Sequence, residues 1–159
     1  MEELCIELNG ERIKIYSFMD KKISLKNILK HAHFCKDSKN VKFKITLIDK
    51  ISKKDKIINL RKALNLSDIL IVNSASKINI RHFNIKTISY GLDEKSTVNV
   101  SSIDEIENDK PIVCIQRSFS SVFLKEYDPM EIKVKRIKNI DDIATFLGII
   151  TLKLVLELD

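Results

Sequence analysis

A chain of 159 residues with 44% hydrophobic and 31% charged residues has globular composition, which excludes disordered and fibrous classes and allows a core without metals or disulfides. The net charge of +6 rests on 28 basic residues, only five of them Arg; Arg reads phosphates and bases through paired hydrogen bonds, so its scarcity argues against nucleic-acid binding. Cys5, Cys35 and Cys114 include no C-x-x-C pair, so neither a disulfide framework nor a zinc knuckle is expected, and a reducing cytoplasm is the simplest setting.

The N-terminus, M-E-E-L-C-I-E-L, carries acids where a signal peptide carries bases. Leu4 to Leu8 and Arg12 to Phe18 alternate apolar and polar residues around Asn9-Gly10, and because both turn residues tolerate positive φ this predicts a β-hairpin. Ser24 is placed to cap a helix with Leu25, Ile28, Leu29 and Ala32 on one face, expected to run to about Cys35. Val41 to Ile48 alternates as a half-exposed strand, with Lys42 and Lys44 on the wet side, which suits a sheet edge. After a charged turn, Asp49 to Lys56, the positions Ile57, Ile58, Leu60, Ala63 and Leu64 predict a helix ending near Leu66. Ile69 to Val72 is continuously apolar and reads as a strand buried on both faces.

Ser74 to Phe83 reads as a short, weakly helical connection. Thr87 to Ser102, T-I-S-Y-G-L-D-E-K-S-T-V-N-V-S-S, reads as strand, charged turn and strand. An acidic turn, Asp104 to Lys110, leads to the apolar strand Ile112 to Arg117. Phe119 to Leu124 turns back, Asp128-Pro129 marks a turn, and Met130 to Arg136 alternates as an exposed strand. Asn139 or Asp141 can cap a final helix with the stripe Ile140, Ile143, Ala144, Leu147, Ile150, Leu154 and Leu158. Its last residues also alternate with period two, so helix and strand compete there, and Asp141, Asp142, Lys153 and Glu157 make the run too charged for a membrane span. The fold class read from these elements is a single α/β domain over residues 1–159, a mixed sheet with helices packed against it. Residues 1–66 and 67–159 form halves of different texture.

The segments S-D-I-L-I-V-N-S (67–74), K-T-I-S-Y-G-L (86–92), S-T-V-N-V-S-S-I (96–103) and K-N-I-D-D-I-A-T (138–145) resemble the back half of the central domain of Mur ligases, the ATP-dependent enzymes that add amino acids to peptidoglycan precursors. In that family a strand ends in Thr-x-Tyr/Phe-Gly, and a later helix opens with His-Asn-x-x-Asn and helps hold adenine. Ser89, Tyr90 and Gly91 match the strand end and Asn139 matches the first Asn, whereas Lys138 replaces the His and Asp142 the second Asn. With glycines only at 10, 91 and 148, no G-x-x-x-x-G-K-[ST] loop can be built. The resemblance therefore implies a reduced relative with a Rossmann-like sheet, without the P-loop or the family's C-terminal domain.

Ligands in α/β sheets collect at strand ends, so Arg117 can receive a carboxylate or phosphate, or pair instead with Asp104, Glu105 or Glu107. Tyr90, Gly91, Arg117 and Asn139 are the candidate ligand-binding set. His31 and Cys35 stand four apart on the predicted helix, but His33 points off that face and His82 is elsewhere, so no metal site is expected. Cys114 reads as a core residue; Ser101, Ser102, Ser118, Ser120 and Ser121 lack a Gly-x-Ser-x-Gly elbow, and no catalytic residue or cofactor is identified. The basic turn Lys50, Lys53, Lys54 and Lys56 and the ridge Lys133, Lys135, Arg136 and Lys138 are either solvated faces or anion-attracting surfaces. The expected function is a noncatalytic binding or scaffold module with a protein partner or a second copy of itself, linked through the resemblance to cell-wall precursor metabolism. The alternatives are a sensor of a nucleotide or carboxylated metabolite and a basic nucleic-acid binder.

Overall fold

The computed structural model describes residues 1–52, 55, 57–101 and 110–159, and the chain forms two compact units, residues 1–70 with 78–87 and residues 71–77 with 88–159. In the first unit β1 (Glu2–Leu8) and β2 (Glu11–Phe18) form the predicted hairpin, in register from Glu2 opposite Ser17 to Leu8 opposite Glu11. Asn9 and Gly10 turn the chain with φ of 51° and 76°, the pair of positive values that a two-residue turn needs to match the strand twist.

Helix α1 spans only Leu25–Ile28, although it is capped by Ser24 as expected, and the carboxylate of Glu2 accepts a hydrogen bond from the Leu25 N–H at 3.1 Å. The apolar pattern had suggested a helix to Cys35. Instead Leu29 leaves helical geometry, and His33–Phe34 forms β3, antiparallel to β1, with the Cys35 N–H donating to the Cys5 carbonyl at 2.9 Å. The free edge of β1 offers backbone partners that a short isolated helix could not match. His31 and Cys35 are therefore not on one helix face.

Strand β4 (Val41–Ile48) runs parallel to β2, pairing Lys14 with Lys44 and Tyr16 with Thr46. Helix α2 (Ile57–Leu66) has the predicted extent, but only Ala63 and Leu64 are buried, while Ile57 and Ile58 are 72% and 71% exposed. Its C-terminal end is tied down by Ser67, whose hydroxyl donates to the Ala63 carbonyl at 2.7 Å and lies 2.6 Å from the Thr46 hydroxyl.

Strand β5 (Ile69–Asn73) is buried at every position, as its apolar run requires. Ser74 to Phe83 contains no helix: the Asn73 side chain accepts from the Ala75 N–H at 3.0 Å, an Asx turn that competes with helical bonding. Strands β6 (Lys86–Tyr90) and β7 (Val98–Val100) are parallel through Tyr90 and Val98. Strand β8 (Ile112–Ile115) is antiparallel to β7; β9 (Phe119–Ser120) and β10 (Glu126–Tyr127) make a separate two-stranded sheet. Strand β11 (Met130–Lys133) pairs antiparallel with β8 and stops short of Arg136. Of the acidic turn Asp104 to Lys110, only Lys110 lies within the described residues.

Helix α3 (Ile143–Leu156) settles the competition at the C-terminal end in favour of helix. Asp142 caps it, accepting from the Thr145 N–H at 3.0 Å; neither Asn139 nor Asp141 does so, and Asn139 instead turns the chain with φ 65°. Residues 145–152 are all buried, so the helix is enclosed around its circumference rather than along one stripe.

The larger sheet has nine strands in the order β11-β8-β7-β6-β5-β4-β2-β1-β3, with parallel and antiparallel neighbours mixed. The fold is thus α/β with a mixed sheet and an N-terminal hairpin. Strand β4 lies inside this order, not at the edge anticipated from its lysines, which instead mark one face of the strand.

Close approach at α3 yields a test. A Cβ on Gly148 would lie 2.6 Å from Cζ of the Tyr90 ring, and Tyr90 is fully buried. Overpacking of this kind costs about 1–3 kcal/mol, so Gly148→Ala is expected to lower the urea midpoint of unfolding.

Candidate functional site

The hairpin register sorts the first unit's side chains into two faces. Ile6, Ile13, Ile15 and Ile45 point to the core and are fully buried. Opposed or adjacent residues on the other face include Glu3 with Tyr16, Cys5 with Lys14, and Lys14 with Lys44. Helix α2 lies over the Thr46 part of that face through the Ser67 contact. A cleft of about 410 Å³ opens beside it, lined by Glu3, Lys14, Tyr16, Lys44 and Lys62 together with Leu66 and the segment around Ser38 to Val41.

Each wall has a physical anchor. The Asp37 carboxylate accepts from Arg12 Nη1 at 2.9 Å, and the Lys39 carbonyl accepts from the same nitrogen at 3.0 Å, fixing the segment that carries Ser38 and Asn40 to β2. Lys44 is held by a two-way bond with Asp68: its N–H donates to Asp68 Oδ2 and its carbonyl accepts the Asp68 N–H, both at 2.8 Å.

The cleft is positively charged. Lys14 Nζ lies 3.0 Å from Glu3 Oε2 and 5.2 Å from the centre of the Tyr16 ring. The bond to Glu3 raises the Lys14 pKa above its ordinary 10.5; burial opposes the shift without cancelling it. Lys44 and Lys62 form no ion pair among the described residues. Three ammonium groups thus face one carboxylate around a concave surface.

None of Tyr90, Gly91, Arg117 and Asn139 lines this cleft. Tyr90 is 0% exposed and its carbonyl accepts from the Ser74 N–H at 2.8 Å. Gly91 follows with φ 147°, donating to the Val98 carbonyl at 3.1 Å; a Cβ there would lie 2.4 Å from Ser74 Oγ, which accepts from the Ser96 hydroxyl at 2.8 Å. Gly91 thus lies beside the Ser74 and Ser96 hydroxyls at the end of β6, whereas the Tyr90 ring packs against Gly148. Arg117 and Asn139 are exposed. The acids considered as partners for Arg117, at 104, 105 and 107, lie outside the described residues, as do Lys53, Lys54 and Lys56 of the basic turn. Among the described residues no group of three or more His, Cys, Asp or Glu side chains is arranged to hold a metal, and no helix is long and apolar enough to cross a membrane.

Comparison with protein-family models, curated proteins and solved structures gives no match.

The Lys14–Glu3 pair has a defined pH signature. Its folded pKa is raised, so its contribution to stability is present below 10.5 and is lost as pH rises through the folded value. Glu3→Gln is expected to lower the Lys14 pKa, read from the side-chain Cε resonance in an NMR titration above neutral pH.

Proposed function

We propose that this protein is a noncatalytic binding module that takes a small anionic ligand, phosphorylated or carboxylated, in the lysine-lined cleft of its first unit. The observation that carries this reading is the pairing of Lys14 with Lys44, two cations in direct register on neighbouring strands of a concave surface, with Glu3 as the acid in the lining. Like charges so placed repel each other. An anion between them relieves that repulsion and gains charge-assisted hydrogen bonds, each worth about 1.5–3 kcal/mol. Lysines give point contacts rather than the bidentate grip of Arg, which suits a compact phosphate or carboxylate. Ser38, Asn40 and the Tyr16 ring add polar and aromatic surface for the body of a ligand. Glu3 is engaged by Lys14, which supports binding rather than acid–base chemistry.

The resemblance of Ser89-Tyr90-Gly91 and Asn139 to Mur ligase central domains supports a related reading, in which the protein is a reduced relative linked to cell-wall precursor metabolism. Nucleotide-linked precursors are anionic, so both readings call for the same ligand class.

The test is an amide NMR titration with ATP, ADP and a uridine-diphosphate muramyl precursor at moderate salt. Saturable shifts are expected at Lys14, Tyr16, Lys44 and Lys62, and Lys44→Gln or Lys62→Gln should each weaken the binding about tenfold or more. Shifts confined to Tyr90 and Gly91 would move the site to the second unit. No saturable shift with any of the three would overturn the proposal and leave a protein-binding scaffold.

A further inference from the structure

The ladder between β1 and β3 pairs Ile6 with Phe34 and Glu7 with His33. One step further along the same antiparallel register, Cys5 stands opposite Cys35, and the Cys35 N–H donates to the Cys5 carbonyl at 2.9 Å. Directly opposed residues of this hydrogen-bonded type have Cα atoms about 5.5 Å apart, inside the roughly 4.4–6.8 Å that disulfides span. Opposed residues also share a sheet face, so the two thiols leave the ladder on the same side. Both are half-buried and reduced, within reach of a small oxidant, whereas Cys114 is buried in β8.

We propose that Cys5 and Cys35 form a redox-responsive pair that closes to a cross-strand disulfide when the protein meets hydrogen peroxide and reopens with a thiol reductant. Cys35 is the attacking sulfur: burial first, then the hydrogen bond and charge of Cys35, push the Cys5 thiol from 9.0 to about 11 against the opposing effect of Arg12 and Lys14, so Cys5 stays protonated. The Cys35 thiolate attacks a peroxide oxygen, the O–O bond breaks, and the hydroxide released takes up a proton to become water. Cys5 then attacks the sulfur of the resulting sulfenic acid. The S–S bond forms, the S–O bond breaks, and the oxygen leaves as a second water with the proton from Cys5. Two thiols have lost two electrons, and one peroxide has become two waters. A disulfide at an accessible sheet edge belongs to the labile, reversible class rather than the structural one.

The full chain is exposed to hydrogen peroxide, unfolded, alkylated and mapped by mass spectrometry. The expected result is loss of two of the three alkylatable thiols, a Cys5–Cys35 cross-linked peptide in monomeric protein, and full recovery after dithiothreitol. Cys114→Ser should keep the cross-link, and Cys35→Ser should abolish it. In the reduced protein at mildly alkaline pH, Cys5 should alkylate about tenfold more slowly than an ordinary cysteine, because its smaller thiolate fraction outweighs its higher intrinsic nucleophilicity. Retention of all three thiols, cross-links only between chains, or over-oxidation of Cys35 without a bridge would overturn the proposal.

Discussion

Two consecutive residues with positive φ, Asn9 and Gly10, hold β1 against β2 so that Glu3 meets Tyr16 and Cys5 meets Lys14. Side chains alternate along a strand with period two, and a slip of one residue would exchange every inward group for an outward one. Ile6 would then face solvent, while Glu3 and Cys5 would be pressed into the core. The parallel pairing of β2 with β4 passes the same register on to Lys44. The charged cleft and the thiol pair therefore both inherit their geometry from one tight turn.

The cleft also shows why lysines can be tolerated in an inner strand of a sheet. Lys44 is half-exposed and lines the cleft while its backbone is fixed by Asp68, as a long side chain with an apolar stem and a charged end allows. Lys14 is kept charged by Glu3. The cost of placing two cations side by side is met only in part by that one carboxylate, which leaves a net positive potential over the cleft.

Local patterns made much of the fold legible. The Asn-Gly hairpin, the alternation of Val41 to Ile48, the apolar run from Ile69 and the extent of α2 all follow from period and turn chemistry. The misreadings have a shared origin in partners distant along the chain. His33 and Phe34 joined the edge of β1 where helical spacing continued from Ser24, and Asn73 drew the following residues into an Asx turn where a weak helix had been expected. The cleft was not legible at all, because Glu3, Lys14, Lys44 and Lys62 come from four separate elements and each alone reads as a solvated charge. Only the pairing of Lys14 with Lys44 distinguishes them, and sequence spacing does not reveal a parallel register. In contrast, Tyr90 and Gly91 stood out because a Tyr-Gly strand end is a local signal, and both prove to be buried, Tyr90 against Gly148 and Gly91 beside the Ser74 and Ser96 hydroxyls.

Gly148 and Tyr90 carry an implication for how this sequence can vary. The ring occupies the space that any side chain at 148 would need, so the two positions share one volume. Neither can change size freely by itself. An alanine at 148 becomes tolerable when residue 90 is shortened, and a larger ring at 90 is barred while α3 keeps its place. Divergent copies of this protein should therefore exchange the two residues together, as a linked pair, even though they stand in a strand and a helix more than fifty positions apart.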